Sequence, residues 1–200
     1  MKTRDVAEAK RREFYDVILA DSNRLLTTVE QVLQASRTRE KSRLLNISEI
    51  SLGDLLRDSV KIVQTRYKLD DGAIKFTEPA GEIIISGDAA ELQTALTNLF
   101  DNAVKYSGDA PKISMRVKNT GDKKVQIFIK DNGIGIAQRD LKRIFKRFYR
   151  VANLATQGKK GTGLGLFIVK SIIEKHGGKI FVESKGEEKG STFIVQLPKG

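Results

Sequence analysis

The sequence predicts an α+β fold: a two-layer α/β sandwich with a mixed sheet, about three helices on one face, and one long amphipathic helix in front. Three observations predict it. Short apolar segments at 73–76, 83–85, 113–117, 125–129, 179–183 and 191–196 have the length and composition of strands. Helical spacing of apolar residues separates them, after Ser51, after Asp88 and after Gly163. Sheet and helix faces of this kind must cover one another, which gives a layered domain.

Residues 1–46 form the leading helix, with Phe14, Ile18, Leu25, Val29 and Val32 at spacings of three, four and seven. Leu19, Leu26 and Leu33 widen this stripe, and neither Pro nor Gly interrupts it before Gly53. So wide an apolar stripe needs a covering partner, for which a packed four-helix arrangement is the natural geometry. Residues 47–200 form the domain proper. Ile47 and Ile50 suit a short strand or linker, and Ser51 caps a helix over 52–67 with Leu55, Leu56, Val60, Ile62 and Val63 facing inward. A turn at Pro79-Ala80-Gly81 parts the next two strands, and Asp88 caps a helix carrying Leu92, Ala95, Leu96, Leu99, Phe100 and Ala103. Strands 113–117 and 125–129 make a hairpin, and the second delivers Asp131 at its end. The last helix stops at His176-Gly177-Gly178, before a final hairpin.

Composition bounds the function. The chain has 200 residues, 40% hydrophobic and 30% charged, which suits a soluble globular protein. No apolar run reaches the length of a membrane span, and no charged-then-apolar leader stands at the start. Zero cysteines exclude disulfides and thiolate metal sites, and fit a cytoplasmic location. The net charge of +11 raises a nucleic-acid reading, with basic clusters at Lys10-Arg11-Arg12, at 37–43 and from Lys142 to Arg150 with Lys159 and Lys160. No zinc-finger, RRM or helix-turn-helix pattern accompanies them, and the last cluster adjoins glycine-rich loops where a triphosphate would account for it. No nucleic-acid partner is expected.

Two such loops stand out, Asp131-Asn132-Gly133-Ile134-Gly135-Ile136 and Gly161-Thr162-Gly163-Leu164-Gly165-Leu166. The second runs into a helix, whose unpaired N–H groups and positive dipole end form a ready phosphate site. A nucleotide held between the loops, under a lid spanning 137–160, is the first reading. Upstream, Asn98 and Asn102 stand four apart on one helix face. Asparagine works against helix propensity, and its oxygen suits Mg²⁺, which also takes phosphate oxygens.

Together these segments resemble those of bacterial sensor histidine kinases, within the superfamily shared with gyrase, mismatch-repair ATPases and a heat-shock chaperone. The family's asparagine box is matched at 98–106 and its first glycine box at 131–136. Its phenylalanine box is matched at Ile144-Phe145-Lys146-Arg147-Phe148-Tyr149-Arg150, and its second glycine box at 161–166. The resemblance implies the Bergerat-type ATP-binding fold, with residues 1–46 as one helix of a dimerisation and phosphotransfer hairpin. It implies Mg²⁺ on Asn102, Asn98 beside the phosphates, Lys105 near the phosphate chain and Tyr106 at the base or ribose. Asp131 would read the adenine amine, and Gly133, Gly135 and Ile136 would line the base. Arg147 or Arg150 would stabilise the transferring phosphoryl group. Gly161, Thr162, Gly163, Leu164, Gly165 and Leu166 would hinge the lid and meet phosphate through backbone N–H groups. Phe145 and Phe148 would anchor the lid in an apolar groove.

One position separates the branches of the superfamily. Where hydrolysing relatives carry a glutamate as general base, this chain has Asn98, which cannot take a proton. The implied reaction is transfer of the γ-phosphoryl group of Mg-ATP to a histidine, then to an aspartate in a response-regulator receiver domain. The one histidine, His176, falls at a structural position, so the acceptor-histidine helix must come from elsewhere. A second protomer, in a homodimer, would complete the helical bundle, and any membrane contact would come through upstream segments. Other readings are a nucleotide-sensing pseudokinase module, a water-hydrolysing relative or a kinase of serine.

Overall fold

The computed structural model describes residues 10–12, 14, 15, 17, 18, 22, 29, 45–79, 81–121, 123–151 and 161–200. Residues 10–12, 14, 15, 17, 18, 22 and 29 are helical, and Phe14, Ile18 and Val29 of the apolar stripe are exposed. The other stripe positions, Leu19, Leu25, Leu26, Val32 and Leu33, lie outside the described residues, as does the lid segment 152–160.

From residue 48 the order is β1 (Ser48–Ser51), α1 (Leu52–Tyr67), β2 (Ile74–Thr77), β3 (Ile84–Gly87), α2 (Ala89–Tyr106), β4 (Ile113–Asn119) and β5 (Lys124–Lys130). Then come α3 (Gly165–Lys175), β6 (Lys179–Glu183) and β7 (Thr192–Pro198). Five strands form one mixed sheet in the order β2-β4-β5-β7-β6, with only β2 and β4 parallel. Apolar side chains alternate along these strands, and the inward set, including Met115, Ile127, Ile129 and Val195, packs with the three helices in one core.

The strands either side of Pro79 do not pair with each other. β3 joins β1 in a separate antiparallel two-stranded sheet, while β2 lies at the far edge of the main one. The reason is the entry to α1: Leu52 N–H donates to Ile83 O at 2.9 Å, so β1 reaches α1 only alongside β3. Ser51 caps α1 as its sequence implies, accepting from the Asp54 N–H. Ile62 departs from expectation and is part-exposed, because it sits two residues, and so some 200° of helix, from Val60.

Asp88 is the junction of this architecture. Its Oδ1 accepts from the N–H groups of Ala90 and Glu91, both at 3.1 Å, which starts α2. Its Oδ2 accepts from Asn46 N–H at 3.1 Å, fastening the segment that enters β1. Its own N–H donates to His176 Nε2 at 3.0 Å, while His176 Nδ1 faces Ile172 O at 2.8 Å. With Nε2 accepting, Nδ1 carries the proton. His176 is buried and both nitrogens are committed, so its role is to join the end of α3 to the start of α2. His176→Ala should leave the Asp88 N–H without an acceptor and open a void, at a cost of roughly 2–3 kcal/mol in urea unfolding. An unchanged unfolding midpoint would remove this role.

Candidate functional site

β5 ends by placing Asp131 at the sheet's inner edge, where its side chain is 6% exposed. Asp131 Oδ1 accepts from the N–H groups of Gly133 at 2.8 Å and Ser191 at 3.0 Å. No bond among the described residues uses Oδ2, so that oxygen is left to meet a ligand donor. Burial pushes the carboxyl's pKa above the usual range, and the two backbone N–H bonds hold it down only in part.

The loop beyond Asp131 is braced on both sides. Ile134 N–H donates to Tyr106 O at 3.1 Å, at the end of α2. From the β6–β7 connection, Gly190 N–H donates to Gly133 O at 3.0 Å and Glu188 N–H to Ile134 O at 2.7 Å. Ser184 Oγ accepts from Ile136 N–H at 3.0 Å. A Cβ on Gly133 would stand 2.6 Å from Tyr106 O, and Gly135 has φ 69, so side-chain-free backbone is required here. Ser184 and Ser191 were not singled out in the sequence. They act through an oxygen and a backbone N–H at a distance of tens of residues, which no local pattern signals.

Asn98 and Asn102 do share one face, and it meets the start of α3. A Cβ on Gly165 would lie 3.2 Å from Asn98 Oδ1 and 3.8 Å from Asn102 Nδ2. Asn98 Nδ2 donates to Thr94 O at 2.9 Å, which turns Oδ1 toward Gly165. The N-terminus of α3 has no side-chain cap; Leu164 N–H faces Thr162 Oγ1 at 3.3 Å. Its free N–H groups and positive dipole end therefore point into the region that the asparagines border. Lys105 follows Asn102 three residues further along α2, its Nζ 5.3 Å from the Tyr106 ring centroid and 2.5 Å from where a Cβ on Gly161 would lie. Leu164 is fully buried, and Ile136 and Leu166 pack against the core, so these three offer a ligand their backbone rather than their side chains.

The first half of the lid is anchored. Phe145 meets Phe193 edge-on at 6.5 Å, and Tyr149 O–H donates to Asp140 Oδ1 at 2.6 Å. Phe148 is not an anchor: it is 68% exposed, with φ 59. It is the backbone of Phe148 that packs, against Gly163, where a Cβ would come within 2.7 Å of its carbonyl carbon. Tyr149 takes the anchoring part instead. Arg147 stacks on Phe167 of α3 at 4.3 Å. Arg150 lies close enough to Tyr106 to pull its pKa down, against the larger upward effect of burial. Two of the lid's arginines, Arg147 and Arg150, thus flank the region, one beside α3 and one beside the end of α2.

The two glycine loops and the asparagine face therefore adjoin: Asp131, Gly133, Tyr106, Lys105 and Gly161 follow one another, and four residues on in the same loop Gly165 meets Asn98 and Asn102. A family model for histidine kinase-, DNA gyrase B-, and HSP90-like ATPases matches residues 87–200. The chain belongs to this ATPase family. Membership assigns the nucleotide as ATP, and the region holds groups of the kind a nucleotide needs: a buried carboxylate with an oxygen that no bond among the described residues uses, and a helix start without a side-chain cap. Sensor protein SrrB of Staphylococcus aureus strain N315 is 38% identical over 94% of the chain, which spans 32% of that relative. A mycobacterial sensor histidine kinase, MprB, superposes with a TM-score of 0.65 at 26% identity, over 76% of this chain and 97% of that one. Histidine kinase ThkA, solved in complex with response regulator TrrA, has the same fold over the whole of this chain and 53% of its own, with TM-score 0.75 at 24% identity.

Among the described residues no three His, Cys, Asp or Glu side chains cluster to hold a metal ion. Any cation in this ATPase site must bring phosphate oxygens and water as its main ligands, as Mg²⁺ does. Because burial raises the folded-state pKa of Asp131, its ionised form costs stability, a cost absent below the unfolded pKa and present above the folded one. Asp131→Asn keeps an oxygen for both N–H donors and removes the buried charge. Without nucleotide it should melt higher than the parent at neutral pH, the gain fading as pH falls through the carboxylate range, and calorimetry should find ATP binding lost. A gain independent of pH would refute the burial argument.

Proposed function

We propose that this chain is the ATP-binding catalytic part of a sensor histidine kinase, transferring the γ-phosphoryl group of Mg-ATP to a histidine on another segment. The observation that carries this reading is Asn98. It sits one helical turn from Asn102, at the start of α3, and its amide cannot accept a proton from water. A nucleophile that needs no base to remove a proton, such as a neutral imidazole nitrogen, suits this site. The single histidine of the chain is the buried His176, so the acceptor lies elsewhere.

The remaining residues have definite tasks. Asp131 Oδ2 accepts from the adenine amine, which excludes guanine. Asn102 would hold Mg²⁺ through its amide oxygen, and the ion would supply positive charge beside the phosphates. Lys105 and the N–H groups at the start of α3 hold the phosphates, and Arg150 stands over the transferring group. The phosphoryl group passes from ATP to the imidazole nitrogen, ADP leaves, and a response-regulator aspartate is the onward acceptor. Phe14, Ile18 and Val29, exposed on a helix, are the surface that a second protomer and the acceptor helix would cover.

The test is labelled ATP with a separately supplied acceptor-histidine hairpin. The expected product is acid-labile phosphate on the hairpin; ATP binding without any labelling would favour a nucleotide-sensing module instead. Asn102→Ala should weaken Mg-ATP binding by roughly tenfold or more in calorimetry while leaving metal-free nucleotide binding less affected. Arg150→Ala should slow transfer by roughly tenfold or more at saturating ATP. Equal transfer rates in parent and variant would take Arg150 out of the reaction.

A further inference from the structure

The three helices cover one face of the five-stranded sheet and leave the other open. The strand register sets out that open face in rows. Lys75, Ser114, Lys130, Thr192 and Glu183 make one row, and Thr77, Arg116, Phe128, Ile194 and Phe181 the next. A third holds Lys118, Gln126, Gln196 and Lys179, and Lys124 lies beyond it beside Pro198. The middle row is an apolar strip of Phe128, Ile194 and Phe181, with Phe181 45% exposed. Around it stand six exposed cations, Lys75, Arg116, Lys118, Lys124, Lys130 and Lys179, against the one carboxylate of Glu183. None of the six forms a salt bridge among the described residues. A face built for solubility alone mixes charges of both signs.

We propose that this open sheet face docks on an anionic lipid bilayer, its lysines meeting the headgroups and Phe181, backed by the buried Ile194, entering the interface. Five of the six cations are lysines, compact point charges on flexible stems that reach along a surface and match no fixed geometry. Protein partners are met by faces poor in lysine and rich in arginine. Single-stranded nucleic acid needs free aromatic platforms for successive bases, and this face offers Phe181 alone, since the ring of Phe128 is covered by the Arg116 guanidinium at 4.5 Å. A lipid surface asks only for density of positive charge and a shallow apolar strip. With strands about 4.8 Å apart, five of them spread the charge over roughly 20 Å, several headgroups wide. The nucleotide site lies on the helical side of the sheet, so both surfaces can be occupied at once, and the docking does not depend on the kinase reading.

The experiment is co-sedimentation of the whole chain with vesicles of phosphatidylcholine alone and of phosphatidylcholine mixed with phosphatidylglycerol. Binding only to the mixed vesicles, weakened by added salt, is expected. Each basic residue near such a surface strengthens attachment about fivefold, so Lys118→Glu with Lys179→Glu should weaken it at least about twentyfold. ATP affinity and unfolding midpoint should stay as in the parent. Phe181→Ser should weaken attachment without altering its salt dependence. No binding, equal binding to both vesicles, or undiminished binding by the double lysine variant would overturn the proposal. The last would move attachment to another basic segment, such as Arg11 and Arg12. Preferential capture of a single-stranded oligonucleotide over mixed vesicles would overturn it too.

Discussion

A buried carboxylate with half its hydrogen-bonding capacity spent on the backbone is the constraint on which the site depends. Asp131 Oδ1 ties Gly133 and Ser191 together, drawing the loop after β5 and the strand entering β7 to the same point. Burial makes the charge unfavourable, and two N–H donors offset that only partly. What remains is a negative oxygen in a nearly dry pocket, best satisfied by a donor that arrives already oriented. An adenine amine is such a donor; a carbonyl at the same ring position would meet the carboxylate with the wrong sign. On the reading proposed for Asp131, selectivity for the base would follow from the same burial that makes its charge unfavourable.

At the other end of the site the logic is reversed: there, the positive end of α3 faces the asparagines, with Lys105 near Gly161. α3 begins with free N–H groups because no side chain caps it, and Gly165 lets the asparagine amides come within van der Waals reach. A polyanion placed there completes both the helix start and the coordination of any cation that accompanies it. The asparagine pair offers oxygen ligands without negative charge, so it does not repel the phosphates it borders. It also lacks a proton acceptor, and that absence decides which nucleophile the site can serve.

Much of this was legible in the sequence where the cause is local. Ser51 and Asp88 cap their helices as written, since a cap depends on two or three residues. Asn98 and Asn102 share a face because helical geometry requires it. The pairing of β3 with β1 was not legible, being decided by the path of the chain into α1. Ser184 and Ser191 escaped notice because they reach the first glycine loop across the fold, from the β6–β7 connection. Phe148 misled because an aromatic residue in an apolar pattern suggests burial, whereas its left-handed backbone turns the ring outward and puts its carbonyl against Gly163.

The helix that carries the asparagines is also the one most firmly fixed at its start. Asp88 is held by His176 from α3 and holds Asn46 from the segment entering the domain. Lys175, next to that histidine, pairs with Glu91 in the first turn of α2 at 3.1 Å. At its far end α2 supplies Tyr106 O to the loop that follows Asp131. One helix therefore spans from the entry of the chain to the loop after Asp131, with Asn98 and Asn102 between. The described part of the lid meets this frame through Phe145 and Tyr149, packed on the core, and through the Phe148 backbone against Gly163.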